Sequence, residues 1–322
     1  MDSYLLKTKL TYLKVLSFLF LFSSSPVVFG DVLQDRPEED VDPKMMEMIL
    51  AFTSKGFKKV CDMTLTLAQS VDQFSQCSLD NYYVKGQGVE QDYKQALKWY
   101  LLSAKQGHKR SQLDLGVMFE NGEGVSIDNE KAIKWYLLSA EQGHSDAQRI
   151  LGSIYENGRG VDKDYKESFK RYRLTAEQGN AKAQHSLGII HKNGQGIRQN
   201  YQEAVKWYRF STEQGNAESQ YSLGLRYYHG EGVPRNYKKA VRWFLLSAEQ
   251  GIAEAQYNLG HMYVNGEGVP QEYVLAHLWW DICGFSGDKD CVKSRNPVEE
   301  RMSKQQIEEA QEMASNWKPL SK

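Results

Sequence analysis

An all-α fold, an α/α superhelical solenoid of about six helix-turn-helix repeats, is what this 322-residue sequence predicts, on three observations. The glycine pairs Gly86/Gly88, Gly122/Gly124, Gly158/Gly160, Gly194/Gly196, Gly230/Gly232 and Gly266/Gly268 return every 36 residues. Between them the apolar residues fall at helical spacing, as Ala147, Leu151, Ile154 and Tyr155 do. A tryptophan also keeps the period, at Trp99, Trp135, Trp207, Trp243 and Trp279. A fixed period of about 20–50 residues is the mark of stacked supersecondary units, none of which buries its apolar face alone.

Residues 1–30 differ in kind from the rest. Lys7, Lys9 and Lys14 precede the apolar run Val15 to Phe22, and small residues follow at Val28 and Gly30. This is the layout of an export signal peptide, with cleavage expected between Gly30 and Asp31. A spanning helix needs about 20 apolar residues, more than this run supplies, so no stable membrane insertion is expected. Residues 31–43 hold six acidic residues and two prolines, an acidic disordered linker. Residues 44–74 read as an N-terminal helical cap: Asp42 and Pro43 have the form of a helix start, and Met45 to Phe52 is apolar.

The repeat array spans 75–292. In its third unit a helix A is expected from Ser145 through Tyr155, stopped at Asn157-Gly158, where glycine takes the left-handed conformation of a C-cap. Gly116, Gly152, Gly188, Gly224 and Gly260 lie inside successive A helices. A glycine there costs about 1 kcal/mol against alanine, so its return predicts close approach of a ring or a backbone. Helix B starts at the N-cap column Asp92, Asp128, Asp164, Asn200 and Asn236. It ends at the glycines of the column Gly107, Gly143, Gly179, Gly215, Gly251 and Gly287. After Cys291 the period ends, and residues 293–322 read as a C-terminal capping helix opened by Ser303 and Gln306, with Ile307, Ala310, Ala314 and Trp317 on one side.

The string Ala-x-x-x-Leu-Gly-x-x-Tyr-x-x-Gly-x-Gly-Val from Ala255 to Val269, joined to the Asp-Tyr-x-x-Ala-x-x-Trp-Tyr pattern that begins at Asp92, resembles the Sel1-like repeat family. The resemblance implies a superhelix related to tetratricopeptide arrays, used as a non-enzymatic scaffold or adaptor for other proteins.

Four cysteines, Cys61, Cys77, Cys283 and Cys291, allow three pairings. Cys283 stands in the column of Ser103, Ser139, Thr175, Ser211 and Ser247, and Cys291 in that of Ser111, Ala147, Ala183, Ser219 and Ala255. Small residues eight apart at each B-to-A junction predict close packing, within the reach of a Cys283–Cys291 disulfide. The spacing resembles that of the Helicobacter cysteine-rich proteins. Cys61 and Cys77 are the remaining pair, with no register argument for or against a bridge.

Little else points to chemistry. The seven histidines form no set with metal-ligand spacing, so no metal and no cofactor is expected. Ser286 to Lys289 and Ser315 to Lys318 match a Ser-x-x-Lys string without its supporting motifs, and chance is the better account of both. A net charge of −1 offers no basic patch for nucleic acid. The tryptophan column reads as core. The third B helix places Arg171 where Trp is expected and Ser168 where Ala is, a gap that marks these two as a candidate binding surface. The reading is an exported scaffold, periplasmic or secreted, that holds a protein or peptide in its superhelical groove. A hydrolase acting on an envelope substrate and a secreted host-interaction factor are the alternatives, with the endoplasmic-reticulum lumen as destination in a eukaryote.

Overall fold

The computed structural model describes residues 82–86, 89–285 and 287–320. The expected signal peptide, acidic linker and 44–74 cap, together with Cys61, Cys77 and Ser286, lie outside them. The described residues are helical, with no strand among them, and the chain divides into two compact units, 1–147 and 148–322. After one helical turn at 82–85, the first unit holds α1 (Tyr93–Lys105), α2 (Lys109–Asn121) and α3 (Asn129–Glu141). Helix α4 (Ser145–Asn157) leads into the second, followed by α5 (Tyr165–Glu177), α6 (Ala181–Asn193), α7 (Tyr201–Glu213), α8 (Ala217–His229), α9 (Tyr237–Glu249), α10 (Ala253–Asn265) and α11 (Tyr273–Phe285). Two more, α12 (Lys289–Glu299) and α13 (Lys304–Asn316), finish the chain. Even-numbered helices through α10 are A helices and odd-numbered ones through α11 are B helices, as an α/α solenoid requires.

Each boundary has a local cause. The side chains of Asp92, Asp128, Asp164, Asn200 and Asn236 all accept N–H bonds from the first turn of their B helix. Helix α6 ends on Gly194 at φ 71°, a left-handed C-cap whose N–H returns to the Ile190 carbonyl. Two residues on, Gly196 repeats the positive φ, and a Cβ there would lie 2.8 Å from the backbone of Tyr165 at the start of α5. Both glycines of the connection are therefore required, the first by dihedral and the second by dihedral and contact.

The helix-internal glycines meet rings, as their recurrence predicts. A Cβ on Gly188 would stand 2.3 Å from the Tyr208 ring, on Gly224 2.6 Å from Phe244, and on Gly260 2.3 Å from the Trp280 indole. The partner is always the residue after the tryptophan column, and it is this second aromatic that is fully buried: Tyr136, Tyr208 and Phe244 are 0–1% exposed. Trp99, Trp135, Trp207 and Trp243 are only half-buried, so the core reading of that column holds in full only for Trp279.

Polar rungs fix the junctions. Ser111 Oγ donates to Ser103 Oγ at 2.9 Å, and Ser219 Oγ to Ser211 Oγ at 2.8 Å. Cys283 and Cys291 occupy the same two places at the last junction and are joined by a disulfide, with Cα atoms 5.9 Å apart. The bridge substitutes for a buried hydrogen bond at unchanged spacing. Glutamines make a second rung: Gln214 Nε2 donates to Gln184 Oε1 at 2.8 Å, and Gln250 Nε2 to Gln220 Oε1 at 2.7 Å.

The end of the chain departs from the repeat. Ser303 and Gln306 form the expected capping box, and Ala310 and Ala314 are buried. Helix α13 packs on α11. The reason lies in α11: Leu275 and Leu278 stand where the preceding B helix has Lys239 and Arg242, so the surface that is charged in other repeats is apolar here. Leu278 and Ile282 fall to 7% and 3% exposed beneath it. Helix α12 runs through position 292, so the array passes into the capping segment without a break in helix.

Candidate functional site

In the second unit the A helices lie in register, and adjacent ones touch through side chains. His185 Nε2 lies 3.4 Å from Ser222 Oγ, and Asn258 Nδ2 donates to the Tyr221 hydroxyl at 3.3 Å, each across 37 residues of sequence. Positions 150, 186, 222 and 258 form one half-buried column (Ile150, Ser186, Ser222, Asn258), and Ser153, Ile189, Leu225 and His261 form the next. Ile189 and Leu225 pack against the core while keeping part of their surface open. Such a face pairs apolar contact with hydrogen-bonding groups at a spacing fixed by the repeat. His261 is held edge-on by the rings of Tyr257 and Trp280, at centroid distances of 4.6 and 5.1 Å. Burial pushes its pKa down, so near pH 7 it offers a neutral imidazole.

The residues singled out in the third B helix are not on an open surface. Ser168 is completely buried, and its Oγ has no hydrogen-bond partner among the described residues. Arg171 folds back on Glu167, Nε to Oε1 2.6 Å, with its side chain 16% exposed. The gap left by the missing tryptophan is filled by this ion pair. Every other repeat has a buried alanine where Ser168 stands, so Ser168→Ala is expected to stabilise the protein by about 1–2 kcal/mol, through relief of an unpaired hydroxyl and better helix propensity. Urea unfolding of the two proteins at equal m-value measures the difference; a loss of stability would show that Ser168 has a partner.

A cluster that register alone did not reveal joins α11 to α12. His277 is fully buried, with Nδ1 2.8 Å from Asp281 Oδ2 and Nε2 2.9 Å from Glu299 Oε1. Arg295 reaches Asp281 Oδ1 at 2.7 Å and Glu299 Oε1 at 3.2 Å. Burial opposes a charge on His277, but bonding and attraction to Asp281 and Glu299 outweigh it, and its pKa is raised. Burial likewise pushes Asp281 up, and His277 with Arg295 overcomes that and lowers it. Two cations and two anions balance. Both imidazole nitrogens face carboxylates, which leaves neither to act as a general base. His277 and Asp281 stand where the preceding repeat has Val241 and Leu245, so the signal was there: a histidine in an otherwise apolar column, a carboxylate four residues on, and Arg295 and Glu299 also four apart. Asp288 lies beside Cys283 and Cys291, but disulfide sulfurs are not thiolate ligands, and its carboxylate caps α12.

Helix pairs of fixed length, glycine-locked rings and recurring polar rungs define an α/α repeat protein built to present a surface. The chain belongs to the Sel1 repeat family, whose profile matches residues 81–108, 109–144, 145–180, 181–216, 217–252 and 253–281. Members of this family generally mediate protein–protein interaction. A protective antigen of uropathogenic Escherichia coli strains that displays this fold is 31% identical, with a TM-score of 0.78 over 84% of this chain. The present chain spans 59% of that antigen's length. A Sel1 repeat protein of Oxalobacter formigenes is 29% identical, TM-score 0.67, covering 76% of this chain and 97% of its own. Helicobacter pylori cysteine rich protein B aligns over 40% of this chain and 92% of its own at 23% identity, with a TM-score of 0.33. No curated protein matches. No helix among the described residues is long and apolar enough to cross a membrane.

Proposed function

We propose that this protein is an exported, non-enzymatic scaffold that holds a protein or peptide segment against the A-helix face of residues 148–265. The observation that carries the reading is the register of that face: half-open Ile189 and Leu225 beside Ser222, Asn258 and neutral His261, on helices fixed by buried rungs. Preset apolar and polar groups at even spacing suit a chain that makes many small contacts, and affinity spreads over several repeats. Export is supported by the basic-then-apolar start of the sequence and by the Cys283–Cys291 bridge, since disulfides persist in oxidising compartments. Similarity to a protective antigen of uropathogenic Escherichia coli strains points the same way.

A photo-crosslinking residue placed at Ser222 in the full chain, in living cells, tests the site. One reproducible protein adduct is expected, found in the envelope or the medium and lost when Leu225→Glu is added. Leu225 is only partly buried, so that variant should keep its helical circular dichroism. An adduct that survives Leu225→Glu would place binding elsewhere, and adducts found only in the cytoplasm would overturn export.

A further inference from the structure

We infer that the outer B-helix face of the second unit is a self-association surface for a second copy of this chain, paired side by side with both chains running in the same direction. Three rungs lie along that face at a 36-residue interval: Leu174 and Phe210, 41% and 40% exposed, and the half-buried Leu246. The next position in the column, Ile282, shows what the row accepts, because there the chain covers it with its own α13. The tail beyond α13 continues toward the row, and the Leu320 N–H donates to the Glu249 carbonyl at 2.8 Å. The open rungs therefore continue a surface on which packing is already established.

Charge decides the occupant. Four residues before each rung stands a cation, Lys170, Lys206 or Arg242, all exposed. Three residues after each stands Glu177, Glu213 or Glu249. On a helix these offsets lie one turn to either side of the rung along the axis. Because the B helices share direction and register, the face carries a basic stripe, an apolar row and an acidic stripe, all running across the helices. A two-fold axis along the apolar row brings the basic stripe of one copy onto the acidic stripe of the other. A two-fold axis along the helices sets like against like. The striping thus selects one of the two face-to-face symmetric arrangements, in which the same patch serves both partners. Local pairs do not cancel the stripes: Lys170 and Lys206 sit 3.6 and 3.7 Å from Glu167 and Glu203, and Arg173 2.8 Å from Glu177, in exposed pairs of the kind that exchange partners readily.

Sedimentation velocity of the full chain over a concentration series tests this. A reversible dimer that weakens with salt is expected. Phe210→Glu, at an exposed position that the fold tolerates, should raise the dissociation constant at least about tenfold. Lys170→Glu, Lys206→Glu and Arg242→Glu together make both stripes acidic and should abolish the dimer, and adding Glu177→Lys, Glu213→Lys and Glu249→Lys, which restores opposite stripes, should restore it. A monomer up to about 100 μM, a dimer indifferent to Phe210→Glu, or a dimer that survives the three acidic substitutions would each overturn the inference. The A-helix face takes no part in these variants, so partner capture at Ser222 reads out separately.

Discussion

Gly188→Val is expected to destabilise the protein by more than about 3 kcal/mol. The Cβ that any substitution adds would stand 2.3 Å from Tyr208 Cε1, inside the closest approach two carbons tolerate. Neither side can give. Gly188 sits mid-helix in α6 with Leu187 and Ile190 buried around it, and Tyr208 is 1% exposed, its hydroxyl pushed up to about 12 by burial. Overpacking a rigid core costs about 1–3 kcal/mol for the first added atoms, and a branched side chain adds poor helix propensity. Tyr208→Ala alone opens a cavity at a cost of about 3–5 kcal/mol. If the glycine exists to admit the ring, the double variant costs less than the sum of the two singles, because the valine occupies part of the space the ring leaves. Chemical denaturation of all four proteins gives the coupling directly. Strict additivity would mean that the glycine answers some other demand.

The five-fold return of that glycine is the reason the contact was legible in the sequence: a residue unfavourable in a helix does not recur at one register without a neighbour that excludes a side chain. The N-caps, the connections and the Ser303 capping box were legible for the same reason, since each residue type there has a narrow conformational use. Which aromatic answers the glycine was not. Trp207 and Tyr208 are adjacent, both large and both periodic, and helical spacing over a wide apolar face does not say which points inward. Arg171 and Ser168 misled for a related reason. A departure from a repeat looks like an opening, whereas Glu167 one turn away closes it, and an intrahelical pair is visible only when the charges flanking a gap are counted. The A-helix face and its particular residues were not legible, because the period alone does not say which face binds and half-burial depends on neighbours 36 residues away.

The cluster around His277 should make the C-terminal end of the array pH-sensitive in a defined direction. Folding raises the pKa of His277, so its contribution is complete below the ordinary value of 6.5 and is lost as pH rises through the raised one. Folding lowers the pKa of Asp281, so its contribution is complete above 3.8 and is lost as pH falls through the lowered one. Between those two ordinary values the α11–α12 contact is at its strongest. Hydrogen exchange of α12 and α13 amides, corrected for intrinsic rates, should show protection that declines above pH 6.5 while that of α6 to α9 does not. Removing one partner is worse than removing a pair: Arg295→Met leaves the Asp281 carboxylate, 5% exposed, facing His277 alone, and is expected to cost about 3–5 kcal/mol. His277→Val with Asp281→Leu restores the residue types of the preceding repeat, Val241 and Leu245. Arg295 and Glu299 remain to pair with each other one turn apart. That double variant should be as stable as the parent, or more so, with the pH dependence gone. If it unfolds while Arg295→Met does not, the cluster is required for structure in itself rather than as a balanced set of charges. Stability that survives with the pH dependence intact would trace the titration to another group.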